Sequence, residues 1–390
     1  MSGGPFFSVI IPTRNRAWLL GECIRSVLEQ SFEDFELVVS DNWNDADTLE
    51  VLRRFEVKPR FRHVRTEREL NMPEHWDFAA RQATGRYVLF LNDRMVMRPG
   101  VLRELATRLE AAAYPKVCVW GIQAFSDESH VLEPWTLGRD VEVLPSRPII
   151  EDIARNRRAQ WWRLPRMVNG CIERALLESL QARFGTIFRP ISPDFTSGYI
   201  VLACVPEVLC IARPFYVSRG LATSTGLNTQ KARGGSYLHS LGKADPSRLV
   251  PVKTFSVWNS VFSDFLTVRE HIGAAFPDVP LHLPSYFAAC LEELELVRRM
   301  KPEEDHAAGM TEWSHALSES SVTRAEVEAA RQVPYTPWLQ LRDAVLRAKV
   351  MRPVRRAKHR LEVLRQCVVG PTYAGALDAA RRTAQLVRSP

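Results

Sequence analysis

The sequence predicts an α/β fold, a mostly parallel sheet flanked by helices, with a helical C-terminal extension and a basic appendage after it. Three observations predict it. Short, nearly continuous apolar runs alternate with amphipathic stretches through the first part of the chain. Polar clusters directly follow three of those runs. Beyond about residue 225 the strand-like runs give way to helical periodicity.

Taken in order, Phe7 to Ile11 is apolar throughout except Ser8 and is closed by Pro12, the pattern of a strand buried on both faces. After the loop Thr13-Arg14-Asn15-Arg16, apolar residues recur at Leu19, Leu20, Cys23, Ile24, Val27 and Leu28, one face of a helix. Phe35 to Val39 repeats the strand pattern and ends in Ser40-Asp41-Asn42. A helix over Thr48 to Phe55 and a weaker strand over Phe61 to Val64 follow. Pro73 to Ala83 reads as a helix, with proline in the first turn where no amide N–H is needed. Tyr87 to Leu91 is the most strand-like run and ends in Asn92-Asp93-Arg94. Val101 to Ala113 (helix) and Val117 to Phe125 (strand) complete the regular part.

From Ser126 to Pro214 the pattern loosens. It holds an aromatic patch at Trp161-Trp162, a helix over Glu173 to Phe184, a loop Arg189 to Asp194, a helix-like run Ser197 to Ala203 and a strand over Val208 to Ile211. Phe255 to Phe276 and Tyr286 to Met300 are amphipathic helices, and Lys301 to His306 reads as a charged linker. Pro334, Pro337, Pro353 and Pro371 break the tail into short basic helices. The expected division is residues 1–225, 226–333 and 334–390.

The 390 residues, 46% apolar and 25% charged, exclude disorder as the dominant state. The seven cysteines are scattered without a C-x-x-C pair and read as reduced, buried thiols, which fits a reducing compartment. No signal peptide is apparent. The longest apolar stretch, Tyr199 to Val217, is interrupted by Pro206, Glu207, Arg213 and Pro214, short of the about twenty apolar residues that span a bilayer. A cytoplasmic location is expected.

The net charge of +7 sits in the tail, where twelve basic residues from Arg342 to Arg388 face Asp343, Glu362 and Asp378. A solvated basic bundle is one reading. Another is peripheral attachment to an anionic membrane surface, with Leu339, Val345, Leu346, Leu361, Val363 and Leu364 beside the arginines. Nucleic acid is not expected as a partner, for no binding motif or interleaved aromatics accompany the charge.

Ligands of an open parallel sheet bind beyond the carboxyl ends of its strands. Those ends carry Thr13 to Arg16, Asp41-Asn42 and Asn92-Asp93-Arg94, although helix caps and turns favour such residues too. There is no G-x-G-x-x-G, no P-loop, no zinc-spaced His/Cys cluster and no G-x-S-x-G elbow.

Ser8-Val-Ile-Ile-Pro-Thr-Arg-Asn-Arg16, Ser26-Val-Leu-Glu-Gln30 and Glu36-Leu-Val-Val-Ser-Asp41 together resemble the opening of the family-two glycosyltransferases of GT-A fold. Gly85 to Asp93, with Pro99 following, is similar to that family's approach to its D-x-D motif. The resemblance is close over residues 7–105 and looser to about residue 225. It implies a GT-A-like, Rossmann-type sheet and transfer of a sugar from a nucleotide diphosphate sugar to an acceptor hydroxyl, with inversion. Saccharide or lipid-linked acceptors follow from it, as in polysaccharide or glycolipid synthesis.

Under the resemblance Pro12, Thr13, Arg14, Asn15 and Arg16 embrace the nucleotide, and Asp41 with Asn42 meets its base or ribose. Asn92, Asp93 and Arg94 hold the metal and diphosphate, and Asp194 takes the acceptor's proton. Asp194 also reads as a helix N-cap behind Pro193.

The chain departs from the family at the D-x-D, whose carboxylates fall at Asn92 and Arg94 and leave Asp93 alone for a divalent cation, Mn²⁺ or Mg²⁺. Either Arg94, helped by Arg14, Arg16 or Arg98, replaces the metal as counter-charge to the diphosphate, or the protein is a non-catalytic binding or scaffolding relative. A nucleotidyltransferase would show a Gly-rich loop after the first strand, and none is there.

Overall fold

The structure is a computed structural model that describes residues 4–43, 45–127, 129–135, 140–220, 235–241, 245, 247–254, 256–298, 303–331 and 373–384. The basic residues from Arg342 to Arg365, Arg388 and the tail's apolar residues from Leu339 to Leu364 lie outside these.

The alternation becomes β1 (Phe7–Thr13), α1 (Ala17–Leu28), β2 (Phe35–Asp41), α2 (Ala46–Arg53), β3 (Phe61–Arg65), α3 (Met72–Ala80) and β4 (Tyr87–Phe90). There follow β5 (Met95–Met97), α4 (Val101–Ala111), β6 (Val117–Ser126), β7 (Val131–Leu132), β8 (Val141–Pro145), α5 (Ser146–Ala154), β9 (Gly170–Glu173), α6 (Arg174–Phe184), α7 (Pro193–Cys204) and β10 (Glu207–Arg219). Helices α8 (Gly235–Ser240), α9 (Val257–Ile272), α10 (Leu283–Arg298), α11 (Glu303–Ser318), α12 (Arg324–Ala330) and α13 (Ala376–Arg382) complete the described chain.

One sheet of ten strands runs β3-β2-β1-β4-β9-β6-β10-β5, with β7 on β6 and β8 on β10. β3, β2, β1 and β4 pair in parallel, as do β6 and β10. The short β9 is antiparallel to both β4 and β6 and joins the two parallel sets. Every residue of β1 and β4 is buried, which is why those strands read as continuous apolar runs. The expected face of α1 is the buried one, and α3 starts at Asn71, whose side chain accepts the Glu74 N–H, with Pro73 in the first turn.

Several expectations differ from the structure, among them the helix start expected at Ser197, which lies at Pro193, inside the expected loop, where proline suits the first turn. The strand expected over Val208 to Ile211 continues to Arg219, because the ladder shifts register around Pro214 and leaves a place for a residue without an N–H. β5, β8 and β9, three to five residues each, were too short to register. The charged linker over Lys301 to His306 is instead interrupted by the start of α11 at Glu303, and an acidic opening suits a helix N-terminus.

Residue 226 does not divide the core. Val261, Phe262, Phe265 and Val268 of α9 and Tyr286 and Phe287 of α10 belong to the same buried cluster as β1 and β4. A second cluster joins Leu377, Ala379 and Ala380 of α13 to Val96, Phe125 and Val217 of the sheet. No helix among the described residues is long and apolar enough to cross a membrane.

Candidate functional site

Strand register brings the polar clusters to one edge. Thr13 at the end of β1 pairs with Asp41 at the end of β2, and Asp41 with Arg65 at the end of β3. The Asn42 N–H donates to Thr13 O (3.1 Å), and the Leu91 N–H to Ile10 O (2.9 Å) sets the Asn92-Asp93-Arg94 turn beside them.

Asp93 lies at the centre, 4% exposed. Its Oδ2 accepts the Thr13 hydroxyl at 3.1 Å and its Oδ1 the Arg16 guanidinium at 3.0 Å. Burial pushes its carboxyl above the usual carboxylate range, opposed by Arg16 and Thr13. Arg94 reaches the end of β10, donating from Nη1 to Ser218 Oγ (2.9 Å) and Arg219 O (2.7 Å). Its charge is felt by both Asp93 and Asp194. Burial lowers its proton affinity, and Arg16 adds to that. Asn92 spends its side-chain oxygen on the Arg94 N–H (3.3 Å), an Asx-type turn that sets the direction of Arg94.

Asp41 is fully buried, its Oδ2 3.2 Å from His63 Nε2 and 3.7 Å from Arg65 Nε. The Arg65 guanidinium lies 4.8 Å from the centre of the Trp43 ring, and that indole is half exposed. Asn42 donates to and accepts from the Leu70 backbone, both at 2.8 Å, so its amide clamps the 66–70 loop. Asn15, in the left-handed region at φ 53°, accepts the Asp45 N–H at 2.8 Å and ties the loop after β1 to that after β2. Pro12 is buried within β1, opposite Ser40.

Of the arginines expected to assist Arg94, only Arg16 stands at Asp93. Arg14 is exposed and pairs with Glu69. Arg98 is fully buried, its guanidinium on Gln123 Oε1, Thr383 O and Thr383 Oγ1, on the α13 side of the sheet.

Asp194 occupies the first turn of α7, one residue past Pro193. Ser192, not Asp194, is the N-cap, which corrects the capping expectation. Burial raises the Asp194 carboxyl above its usual range, against the pull of Arg166 and, more weakly, Arg94. Arg166, on the loop before β9, stacks over Phe195 with 5.3 Å between guanidinium and ring centre. Gly198 allows that loop to approach, since a Cβ there would lie 2.8 Å from Leu164 Cδ1 and 3.2 Å from Pro165 O.

Asp93 and Asp194 are thus linked through a set of guanidinium groups, Arg16, Arg94 and Arg166, within electrostatic reach of one another. Sequence reasoning passed over Arg166, which stands in an irregular stretch with no periodicity to place it. Arg65 ends a strand and was open to the rule that singled out Asp41. The residues present fit a divalent cation poorly, for both Asp93 oxygens are engaged and Arg94 adjoins it. Among the described residues no group of three or more His, Cys, Asp or Glu could hold a metal ion.

Residues 8–166 match the family model "Glycosyl transferase family 2". The O-antigen biosynthesis protein RfbC of Myxococcus xanthus is 28% identical over 221 residues, 54% of this chain and 17% of that protein. The GalNAc(5)-diNAcBac-PP-undecaprenol beta-1,3-glucosyltransferase of Campylobacter jejuni is 33% identical over 103 residues, 26% of this chain and 33% of that protein. The chain therefore spans a third or less of the length of these relatives. Among solved structures, S. aureus TarS 1-349 in complex with UDP-GlcNAc superposes with a TM-score of 0.51 at 17% identity, covering 87% of each chain, which shows the shared fold. The sheet, its order of elements and the family match agree: residues 8–166 are similar to family 2 glycosyltransferase domains, and the chain shares the fold of TarS 1-349.

Proposed function

We propose that this protein transfers a sugar from a nucleoside diphosphate sugar to an acceptor hydroxyl, inverting the anomeric centre in one displacement. The observation that carries the reading is the layout around the start of α7: a carboxylate of raised proton affinity, Asp194, within electrostatic reach of the guanidinium groups of Arg94 and Arg166. The acceptor oxygen attacks the anomeric carbon as its proton passes to the Asp194 carboxylate. The bond from that carbon to the diphosphate breaks, and the nucleoside diphosphate leaves with the electron pair. Arg94 and Arg16, held in place by Ser218, Arg219 and Asp93, meet the charge that develops there, the electrostatic part a metal plays elsewhere. Asp41, buried, anchors Arg65, which with the half-exposed Trp43 meets the base and ribose, and Thr13 and Asn15 shape the loop after β1.

The names of the relatives favour a saccharide or lipid-linked acceptor. A basic segment from Arg342 to Arg365 suits an anionic membrane surface bearing such an acceptor. Changing Arg352, Arg355 and Arg356 to Gln should then lower co-sedimentation with phosphatidylglycerol vesicles, and equal sedimentation would refute that attachment.

Calorimetry with UDP, GDP, dTDP and CDP, each with Mn²⁺, Mg²⁺ or EDTA, tests the donor site. One nucleotide should bind and persist in EDTA, as a site built on Arg94 requires. Loss in EDTA would return the counter-charge to a cation on Asp93. Absence of binding under every condition would favour a non-catalytic relative. Asp194→Asn should cut transfer by about 10²–10⁴-fold while leaving nucleotide binding unchanged.

A further inference from the structure

Helix α9 lies outside the matched family domain, yet it carries a carboxylate to the start of the helix that holds Asp194. Asp264, 1% exposed, accepts the Ile191 N–H at Oδ1 (2.7 Å) and the Ser192 N–H at Oδ2 (2.9 Å). These two N–H groups belong to the N-cap of α7 and the residue before it, two and three positions ahead of Asp194. The Ser192 side chain offers no cap bond of its own, so a residue more than seventy positions away supplies the acceptors a helix start needs. The two helices are fastened further along as well. The Tyr199 hydroxyl donates to Val261 O (3.3 Å), and the Tyr199 and Phe265 rings stand 5.5 Å apart, edge to face.

We propose that Asp264 is a positioning residue for the reaction: its carboxylate clamps the turn that opens α7 and so fixes Asp194 against the reacting hydroxyl. The inference rests on the reading of Asp194 as the base. A clamp made of a carboxylate differs from one made of a neutral group in a measurable way. Both oxygens accept only while the group is ionised, and a protonated carboxyl keeps one good acceptor for two N–H groups. Burial is the largest cause that pushes Asp264 up, to about 7, against the bonds from Ile191 and Ser192, and the nearby Asp194 charge raises it further.

The groups that face the pair are Ser192, Tyr199, Arg166 and Arg94, and among the described residues no lysine, arginine or histidine forms an ion pair with Asp264. As pH falls through about 7, Asp264 takes up a proton. The clamp then loses one of its two acceptors.

The experiment is the pH dependence of nucleoside diphosphate release from UDP-N-acetylglucosamine, or from the sugar of whichever nucleotide binds in the calorimetric series. It is run on the full chain and on Asp264→Asn. In the wild type kcat should fall about tenfold between pH 8 and pH 6. In Asp264→Asn it should start about tenfold lower at pH 8 and fall less steeply to pH 6 than in the wild type, with KM for the donor within about twofold. Unchanged kcat in the variant, or a fall between pH 8 and pH 6 as steep as in the wild type, would overturn the proposal. Amide exchange, corrected for its intrinsic pH dependence, decides the clamp even if no donor turns over. Protection of Ile191 and Ser192 should drop on going from pH 8 to pH 6 in the wild type and be low at both in Asp264→Asn. Protection that ignores both pH and substitution would sink it, whereas absent turnover with the expected exchange pattern would fault the transferase reading instead.

Discussion

At the scale of single residues, the cleft is a balance between burial and charge. Asp93 stays useful only because Thr13 and Arg16 occupy its oxygens, and Arg94 is held by acceptors that do not neutralise it, a hydroxyl and a carbonyl. A guanidinium fixed by neutral acceptors keeps its charge for a ligand. Arg94→Met should therefore weaken nucleoside diphosphate binding by about 1.5–3 kcal/mol, read by calorimetry, with little change in unfolding midpoint.

His75 offers a residue-scale test of the fold beside the cleft. It is 4% exposed, bonded to Ser40 Oγ at 3.0 Å, and burial lowers it to about 4. An imidazole held neutral in the fold but free to charge when unfolded contributes stability above its unfolded pKa, and loses it as pH falls toward 4. On going from pH 7.5 to pH 5, denaturant unfolding of the wild type should lose about 2 kcal/mol more than that of His75→Gln. Parallel losses would show that His75 is charged in the fold.

At the scale of elements, the helices and loops of the cleft are placed by close contact. α7 approaches the loop that carries Arg166 only because Gly198 has no side chain toward Pro165 O and Leu164. Leu164 could swing aside, but the Pro165 carbonyl is backbone and gives little. Gly198→Ala should cost about 1–3 kcal/mol in unfolding and slow transfer by pushing Asp194 and Arg166 apart, with nucleotide binding retained. The strands of this edge were legible beforehand because β1, β2 and β4 are buried on both faces and read as apolar runs. β9 was not, since a four-residue strand between two longer ones needs no pattern of its own when its neighbours supply the ladder. The loop at Arg166 was not legible either, for its position comes from the packing of α7.

At the scale of the whole molecule, the chain past residue 225 belongs to the same packing problem as the sheet. α9 and α10 fill the common core, and α13 covers Val96, Phe125 and Val217. The Thr383 backbone and hydroxyl accept from the buried Arg98, which also donates to Gln123. Ending the chain after residue 372 would strand that guanidinium and expose the apolar face. The truncated protein should lose on the order of 3–5 kcal/mol in denaturant unfolding. A loss below about 1 kcal/mol would mean that α13 is a passive cover.

The sequence by itself determined the parallel α/β sheet, its order of early elements and the edge where Thr13, Asp41 and Asp93 meet. Burial on both faces forces an apolar run, and the end of such a run is where polar residues must begin. Only the tertiary structure decided which of those polar residues keep a free charge. It spent Asn42 and Asn92 on backbone and sent Arg98 to the far side of the sheet. It also brought Arg166 and Asp264 to Asp194 from segments whose local patterns carry no sign of one another. Side-chain direction and long-range contact follow from packing, and packing has no period along the chain.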